Sequence, residues 1–257
     1  MLAGRLAGTR MTGRHELDEA FWASSFGSSL FEGFCRTFFR WYSPLTVEGQ
    51  HHLPNGPFLI CSNHTSHADS AVLMTASGRR FSSFALMGAR DYFFQSRYRR
   101  WLVSRLMNVI PVDRQLGSKS LAVCLATCRR FLERTEGALI LYPEGTRSPD
   151  GEMQPFKAGA GLFAIELGVP VVPAYIEGTH RILPKGSYLP RAARVTVRFG
   201  EPLVLAQAIS DPIGESSNCP SARDRRRRVI EQLTESIRML RLGRQSGELV
   251  ASVGQKG

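Results

Sequence analysis

The chain has 257 residues, a formal net charge of +11 and a pI near 10.0. Apolar residues make up 43% and charged residues 21%, a balance that is typical of a globular protein and excludes a disordered or collagen-like chain. The length suits one compact domain with a small helical addition, and no apolar run is long enough for an ordinary membrane-spanning helix. The positive charge favours a negatively charged partner: nucleic acid, anionic lipid or a phosphorylated small molecule.

The chain contains five cysteines, and no two of them form a C-x-x-C pair. An odd number without that spacing argues against a disulfide framework and against a structural zinc site, and it favours a reducing compartment. Residues 1–14 lack the apolar segment of a secretory signal, so none is expected.

The N-terminal part of the chain divides into two segments. Residues 1–18 are basic and glycine-rich, and we expect them to be flexible. Residues 19–44 carry aromatic and aliphatic side chains mostly at three- and four-residue steps, which predicts an amphipathic helix. This helix either packs on the main domain or lies in a membrane interface, where its aromatic side chains enter the headgroups and Arg36 and Arg40 meet anionic lipid. The two uses can coexist on different faces.

From residue 45 onward the pattern alternates between strands and helices. Strands are predicted at 45–47, 58–61, 84–87, 108–112, 138–142, 169–175 and 194–199. Helices are predicted at 70–77, 98–107, 118–135 and 159–167. This alternation predicts an α/β fold with a mostly parallel central sheet flanked by helices, and it places functional groups in the loops at the carboxyl ends of the strands. The prolines in 169–175 favour an edge strand or a bulge there.

We therefore assign residues 45–205 to the α/β domain and residues 206–257 to a linker, a basic helix and a tail. The basic helix is predicted over 221–242, with Ser221 as its N-cap. Its arginine run at 225–228 is typical of a solvated face, and a membrane or nucleic-acid contact is the alternative.

The strand at 58–61 leads into a polar segment that contains His64 and Asp69, five residues apart. On a continuous helix the two side chains would point about 140° apart, so they meet only if His64 stays in the loop and the helix begins near Ser66 as its N-cap. Asp69 could then accept a hydrogen bond from one imidazole nitrogen and leave the other as a base, as in a Ser-His-Asp triad. The alternative is an ordinary loop histidine, because this spacing is common by chance.

A second polar segment, 143–148, follows the strand at 138–142 and has the sequence P-E-G-T-R-S. Small residues and an arginine after a strand suit an anion, because backbone N–H groups and the Arg147 guanidinium can hold a phosphate together. Lys157 stands just before a predicted helix, where its charge adds to the anion preference of the helix N-terminus. Arg114 is a further basic position after a strand. The alternative for Arg147 is an ordinary surface ion pair with Glu144.

The order and spacing of these segments resemble the glycerolipid acyltransferases of the 1-acylglycerol-3-phosphate (lysophosphatidate) acyltransferase type. Four blocks match in order, the first as N-H-x-x-x-x-D and the third as P-E-G-T-R-S: 63–69, 110–114, 143–148 and 169–173. With shorter matches after the third block and near residue 200, the resemblance covers roughly residues 45–205. One departure is Asn108, where the second block often begins with glycine. Asparagine tolerates a left-handed backbone better than most residues, so the turn could survive.

The resemblance implies transfer of a fatty acyl group from a thioester of coenzyme A or acyl carrier protein to the hydroxyl of lysophosphatidate, which gives phosphatidate. In the mechanism it implies, His64 is the general base and Asp69 stabilises the imidazolium. The residues implied to bind the acceptor phosphate and shape its pocket are Arg114, Glu144, Gly145, Thr146, Arg147 and Lys157. Neither a metal nor a cofactor is implied, since the thioester is already activated. Direct transfer is expected, because no serine or cysteine stands in a nucleophile-elbow context.

The implied acceptor lies in a bilayer, so we expect peripheral docking on the cytoplasmic face of the cell membrane through residues 19–44 and the basic surface. The nearest alternative keeps the chemistry and acylates another lyso-lipid or glycerol 3-phosphate. Two alternatives belong to other classes: a thioester hydrolase with the same His64–Asp69 pair, and a basic nucleic-acid-binding module. Nucleic acid is not the expected partner, because charge does not explain the ordered blocks.

Overall fold

The computed structural model describes residues 22–91, 97–113, 117–183, 189–203 and 222–243. In this part of the chain one sheet contains seven strands: β1 (Leu45–Glu48), β2 (Phe58–Ser62), β3 (Phe84–Ala89), β4 (Asn108–Val112), β5 (Ala138–Leu141), β6 (Val171–Glu177) and β7 (Val195–Phe199). The helices are α1 (Ser25–Trp41), α2 (Asp69–Ser77), α3 (Arg97–Leu106), α4 (Ser118–Thr135), α5 (Ala158–Leu167), α6 (Thr179–Ile182) and α7 (Ala222–Arg241).

The strand order is β1-β7-β6-β2-β5-β3-β4. Each of these pairings is parallel except the one between β6 and β7, which is antiparallel. The predicted α/β fold with a mostly parallel sheet is therefore confirmed. β2 and β5 lie side by side near the centre, and every residue of both is buried. Such continuous apolar runs are typical of parallel strands covered on both faces.

Helices cover the two faces of this sheet in separate layers. Alternate residues of β2 point to opposite faces: Leu59 and Cys61 join one apolar cluster, and Phe58 and Ile60 join the other. The first cluster is completed by side chains of α4, α5 and α7, and the second by side chains of α1 and α2. The core is thus a sheet between two helical layers. The loops at the carboxyl ends of the strands lie at the edge of these layers, where functional groups are expected.

β6 shows how a proline fits inside this sheet. It pairs with β2 on one side and with β7 on the other, so the prediction of an edge strand is wrong. Val171 pairs with Leu203, whereas Ala174 pairs with Phe199. Two residues of β6 therefore lie opposite three residues of the segment 200–202, which contains one extra residue. Pro173 still accepts a hydrogen bond from the Gly200 N–H at 2.8 Å, and it has no N–H to return a second bond.

The N-terminal part of the described chain contains α1, which is capped by the Ser24 side chain. Cys35 and Phe39 are buried against the sheet layer. Large apolar side chains on other faces are exposed, namely Phe26, Leu30, Phe34, Trp41 and Tyr42. None of the helices in the described residues combines the length and the apolar character that a bilayer crossing needs.

α1 lies close to α3 and to the β4 edge of the sheet. The two helices approach so closely at Gly27 that a Cβ atom there would lie 2.2 Å from the Arg105 carbonyl oxygen. Asn108, at the start of β4, accepts from the Ala23 N–H at 2.9 Å and donates to the Phe84 carbonyl at 2.8 Å. Its backbone is not left-handed, because among the described residues other than glycine only Glu136 has a positive φ. The expected left-handed turn at Asn108 is therefore absent, and the side chain instead fastens the start of α1 to the sheet.

α7 lies on the face that carries α5. Four apolar side chains spaced along one side of it are buried: Val229, Leu233, Ile237 and Leu240. The arginine run at 225–228 lies on its partly or fully exposed sides, in agreement with a solvated face. The predicted N-cap Ser221, the segment 1–18 predicted to be flexible, the predicted linker from residue 206 and the tail after residue 243 lie outside the described residues.

Candidate active site

The loop after β2 is fixed to the sheet by an asparagine. Asn63 is buried, and its side-chain amide donates to the Ile176 carbonyl at 2.9 Å and accepts from the Ile176 N–H at 2.8 Å. The amide thus pairs with β6 much as a strand backbone would. Thr65 is held in a similar way, because its hydroxyl lies 3.0 Å from that of Thr179 on α6. His64 therefore lies between two anchored residues.

His64 and Asp69 meet in this loop. His64 Nδ1 lies 2.8 Å from Asp69 Oδ2, and the same oxygen accepts from the backbone N–H of Thr65 at 2.7 Å and of Ser66 at 2.9 Å. Asp69 is fully buried and is the first residue of α2, where the helix dipole favours a negative charge. The carboxylate is an acceptor for all three donors, so it fixes the orientation of the imidazole and leaves Nε2 on the side away from Asp69.

α2 begins one residue before its predicted span of 70–77, but three residues after Ser66. Its first residue is Asp69 and its N-cap is Ala68, which makes no side-chain capping bond. Ser66 is buried, and its hydroxyl donates to the Leu183 carbonyl at 3.0 Å and accepts from the Ala68 N–H at 3.2 Å. Ser66 is therefore not the N-cap. The Asp69 carboxylate binds the N–H groups of Thr65 and Ser66, which folds this segment into a separate turn before the helix.

The P-E-G-T-R-S segment binds the His64 peptide from both sides. Glu144 Oε1 accepts from the His64 N–H at 3.0 Å, and the Ser148 N–H donates to the His64 carbonyl at 2.8 Å. Glu144 is only 1% exposed, so its carboxyl group supports the His64 loop rather than lining an open pocket. The exposed residues of the segment are Gly145 and Thr146, for which a place in the acceptor pocket stays a prediction.

Glu144 has an unusually high pKa for a carboxyl group. Burial raises its pKa to about 7, the N–H groups of His64 and Gln154 oppose this rise, and the nearby Asp69 adds to it. Its second oxygen, Oε2, has no hydrogen-bond partner among the described residues. The group therefore changes charge near neutral pH while it holds the loop of the candidate base.

Tyr142, the last residue before this segment, contacts the candidate base directly. Its ring stacks on the His64 imidazole, with ring centroids 3.9 Å apart and planes inclined by 12°. Its hydroxyl lies 2.8 Å from Ser70 Oγ. Burial raises the pKa of Tyr142 well above its usual value, and Asp69 adds to this, so the phenol is neutral. No motif in the sequence points to Tyr142, and the signal that it offers is its position as the last residue of the predicted strand 138–142.

Two of the predicted phosphate-binding cations lie in or over the same segment. Arg147 is half-buried, its Nη1 has no hydrogen-bond partner among the described residues, and no ion pair joins it to Glu144 there. Lys157 is the N-cap residue of α5 and is exposed. A Cβ atom on Gly145, whose φ is +68°, would lie 2.8 Å from Lys157 Nζ, so the lysine side chain crosses the glycine backbone. The predicted ligand Arg114 lies outside the described residues.

The thiols near this site are poor nucleophiles. Cys61 lies in β2, three residues before His64, and burial raises its pKa above the usual range. Burial also raises the pKa of Cys35 to about 12. The chemistry of the described site therefore depends on the imidazole, the carboxylates and the cations. Within the described ranges no three histidine, cysteine, aspartate or glutamate side chains converge as metal ligands.

Comparison with known proteins gives a consistent result. Residues 44–177 match the family model described as Acyltransferase. The chloroplastic 1-acyl-sn-glycerol-3-phosphate acyltransferase BAT2 of Brassica napus is 34% identical over 143 residues, which are 55% of this chain and 39% of that protein. The human 1-acyl-sn-glycerol-3-phosphate acyltransferase alpha is 31% identical over 128 residues, which are 49% of this chain and 43% of that protein. The chain therefore spans less than half the length of these curated relatives.

A similar fold is present in the crystal structure of the 1-acyl-sn-glycerophosphate (LPA) acyltransferase PlsC from Thermotoga maritima. The TM-score is 0.57, the sequence identity is 24%, and the superposition covers 83% of this chain and 79% of that one. The likeness shows a shared fold. The residues matched by the family model include His64, Asp69, the P-E-G-T-R-S segment and β6.

Proposed function

Since this chain belongs to the acyltransferase family, we propose that it transfers a fatty acyl group from a thioester to the free hydroxyl of lysophosphatidate, which gives phosphatidate. The observation that carries the proposal is the 2.8 Å contact between His64 Nδ1 and Asp69 Oδ2, beside the unpartnered guanidinium nitrogen of Arg147. The acceptor is supported by the names of the relatives, which are 1-acyl-sn-glycerol-3-phosphate acyltransferases.

In the proposed mechanism His64 is the general base. Nε2 takes the proton of the acceptor hydroxyl while the hydroxyl oxygen attacks the thioester carbonyl carbon, and Asp69 stabilises the imidazolium that forms. When the tetrahedral intermediate collapses, the C–S bond breaks and the proton passes from His64 to the departing sulfur. The acyl group therefore moves directly from donor to acceptor, and the imidazole is regenerated. This route agrees with the high pKa that burial gives to the Cys61 thiol.

The acceptor phosphate is bound by Arg147 and Lys157 in this proposal. A guanidinium fork holds phosphate oxygens with directed hydrogen bonds, and an ammonium group adds a point charge. Gly145 and Thr146 are exposed residues directly before Arg147, and the Lys157 side chain lies over Gly145. Arg114, two residues after the end of β4 in the sequence, is proposed as a third phosphate ligand. Binding the phosphate beside the His64 loop would hold the acceptor hydroxyl near Nε2, and positioning of this kind accounts for several kcal/mol of a typical barrier.

The donor is proposed to be a fatty acyl thioester of coenzyme A or of acyl carrier protein. Both carriers are negatively charged, which suits a chain of net charge +11. The acceptor is a membrane lipid, and we propose that the protein docks peripherally on the cytoplasmic face of the cell membrane. The exposed aromatic side chains of α1 and the basic charge support this, because apolar side chains insert between headgroups and cations attract anionic lipid.

The test is an acyl-transfer assay with purified protein, lysophosphatidate and a long-chain acyl thioester, supplied once on coenzyme A and once on acyl carrier protein. We expect phosphatidate from the wild type and a rate at least about a hundredfold lower from His64→Ala, since the base is removed. His51→Ala is the matched control, because His51 is an exposed histidine outside the site, and it should keep the wild-type rate.

The products distinguish the alternatives. Free fatty acid that forms without regard to the acceptor would indicate a thioester hydrolase. No turnover of lysophosphatidate with either donor, but turnover of another lyso-lipid or of glycerol 3-phosphate, would replace the acceptor and keep the chemistry. Equal rates for the wild type and His64→Ala would show that His64 is not the base.

A further inference from the structure

The candidate base is held by two contacts of different kinds. Asp69 Oδ2 binds the imidazole edge at Nδ1, and the Tyr142 ring covers one of its faces with the centroids 3.9 Å apart. A hydrogen bond at one nitrogen fixes the direction of that atom but leaves the ring able to tilt about the bond. A parallel aromatic ring in van der Waals contact restricts this tilt. The two contacts together determine where Nε2 points.

Both contacts depend on the first turn of α2. Asp69 is the first residue of this helix and binds His64, while Ser70 is the second and its Oγ lies 2.8 Å from the Tyr142 hydroxyl. Asp69 and Ser70 are buried, so packing restricts the movement of the two side chains that bind His64 and Tyr142. Tyr142 itself directly follows β5, which pairs with β2, the strand that leads to His64. Two adjacent strands and one helix start thus bring the two rings together.

We infer that Tyr142 is a positioning residue for His64, which holds the imidazole plane by ring stacking so that Nε2 meets the acceptor hydroxyl. An aromatic face also attracts a cation placed over it, so the same contact favours the imidazolium that forms during proton transfer. The kinetic consequence of this inference rests on the proposed function. The stacking itself can be measured without turnover.

The kinetic test uses variants that separate the ring from its hydroxyl. Tyr142→Leu removes the aromatic face, and we expect kcat to fall at least about tenfold while KM for lysophosphatidate changes less than about threefold, because orientation rather than binding is lost. Tyr142→Phe keeps the stack and removes only the bond to Ser70, and it should restore most of the lost kcat. Ser70→Ala removes the same bond from the other side, so it should match Tyr142→Phe.

A spectroscopic test measures the stack directly. The ring current of Tyr142 shifts the NMR resonances of the His64 ring protons, which are assigned by their loss in His64→Ala. Tyr142→Leu should abolish this shift and Tyr142→Phe should retain it. Far-UV circular dichroism and thermal melting check that each variant is folded. If Tyr142→Leu does not fold, Tyr142→Met, which has a flexible side chain of similar reach, takes its place in both tests.

Several results would overturn the inference. A wild-type kcat in Tyr142→Leu would show that the stack does not position the base. A raised KM with unchanged kcat would make Tyr142 a substrate contact, and a Tyr142→Phe protein as slow as Tyr142→Leu would assign the effect to the hydroxyl. Unchanged His64 resonances in Tyr142→Leu would show that the rings do not stack. Absence of phosphatidate from the wild type would refute the proposed function instead, and the NMR result would still decide the stacking.

Discussion

His64 and Arg147 differ in how much of their hydrogen-bonding capacity the folded chain uses. The backbone N–H and C=O of His64 and its Nδ1 all have partners, which leaves Nε2 for chemistry. Arg147, in contrast, keeps Nη1 buried without a partner among the described residues. Leaving such a group unsatisfied costs about 1–3 kcal/mol or more, so a ligand that satisfies it gains that energy on binding. We therefore expect Arg147 to act in binding and His64 in the chemical step.

Arg147 gives a direct test of this division. Arg147→Ala should raise KM for lysophosphatidate at least about tenfold, with a smaller effect on kcat, because a charge-assisted phosphate contact is lost. Arg147→Lys should recover part of the affinity, since it keeps the charge and loses the planar fork. Initial rates over a range of lysophosphatidate concentrations measure both constants.

Arg227→Ala is the control for lost positive charge, because Arg227 is an exposed residue of α7 paired with Glu231 at 2.8 Å. It should keep the wild-type constants. A fall in kcat with an unchanged KM in Arg147→Ala would place Arg147 in the chemical step and remove it from phosphate binding.

The individual residues of the site differ in how well the sequence predicts them. The H-x-x-x-x-D spacing lets His64 and Asp69 meet only if His64 stays in the loop before the helix, and the structure shows this contact. Asn63 and Tyr142 were missed, because their contacts cross from β2 to β6 and from β5 to the His64 loop. Sequence spacing within one segment carries no information about such contacts, which depend on the order of strands in the sheet.

The sequence predicts the presence of the helices and strands better than it predicts their ends and their neighbours. α4 has the predicted bounds, 118–135, since its helical period is uninterrupted and Gly137 follows its end. α2 begins at Asp69 because that side chain binds the preceding N–H groups, a choice that propensity does not reveal. β6 lies inside the sheet despite Pro173, and the pairing beside it becomes irregular only after β7, between Phe199 and Leu203. The local hydrophobic pattern therefore predicts which segments form helices and strands, whereas the ends of these segments and their order in the sheet depend on tertiary contacts.

α1 carries a prediction about membrane binding. Phe26 and Phe34 are exposed, eight residues apart on one side of the helix. Replacement of both by alanine should weaken binding to phosphatidylglycerol-containing vesicles at least about tenfold, because each phenyl ring contributes on the order of 1.5–3 kcal/mol when fully transferred from water. Vesicle co-sedimentation at several lipid concentrations measures the affinity.

Leu242→Ala is the matched control, because Leu242 is also a large exposed apolar residue but lies beyond the end of α7. It should bind vesicles like the wild type. Wild-type binding by the Phe26→Ala, Phe34→Ala protein would show that α1 is not the docking surface.

The stability of the entire domain should depend on pH through Glu144. The pKa of this carboxyl is raised from 4.5 to about 7 by burial, so between these values the folded protein retains a proton that the unfolded chain has released. The free energy of unfolding therefore decreases as pH rises through this window, by at most about 1.4 kcal/mol per unit of pKa difference, and Glu144 adds no further change above it. In Glu144→Gln this contribution is absent.

Urea unfolding at pH 5 and pH 8 compares the two proteins. The wild type should lose more stability than Glu144→Gln over this interval, and groups common to both cancel in the comparison. Glu231→Gln, at an exposed position of α7, should follow the wild type. An equal loss in the wild type and Glu144→Gln would show that Glu144 is already ionised at pH 5.

The close approach at Gly27 fixes how α1 is rotated relative to the rest of the domain. With no side chain between them, the backbones of α1 and of the last turn of α3 are in contact, and Asn108 holds Ala23, two residues before α1. Such a helix cannot roll about its own axis without opening this contact. The exposed aromatic side chains of α1, Phe26, Phe34 and Trp41, consequently have one fixed orientation relative to the loop after β2. If these side chains insert into a bilayer, the rigid contact between α1 and the domain would therefore fix the distance and the orientation of His64 relative to the lipid surface.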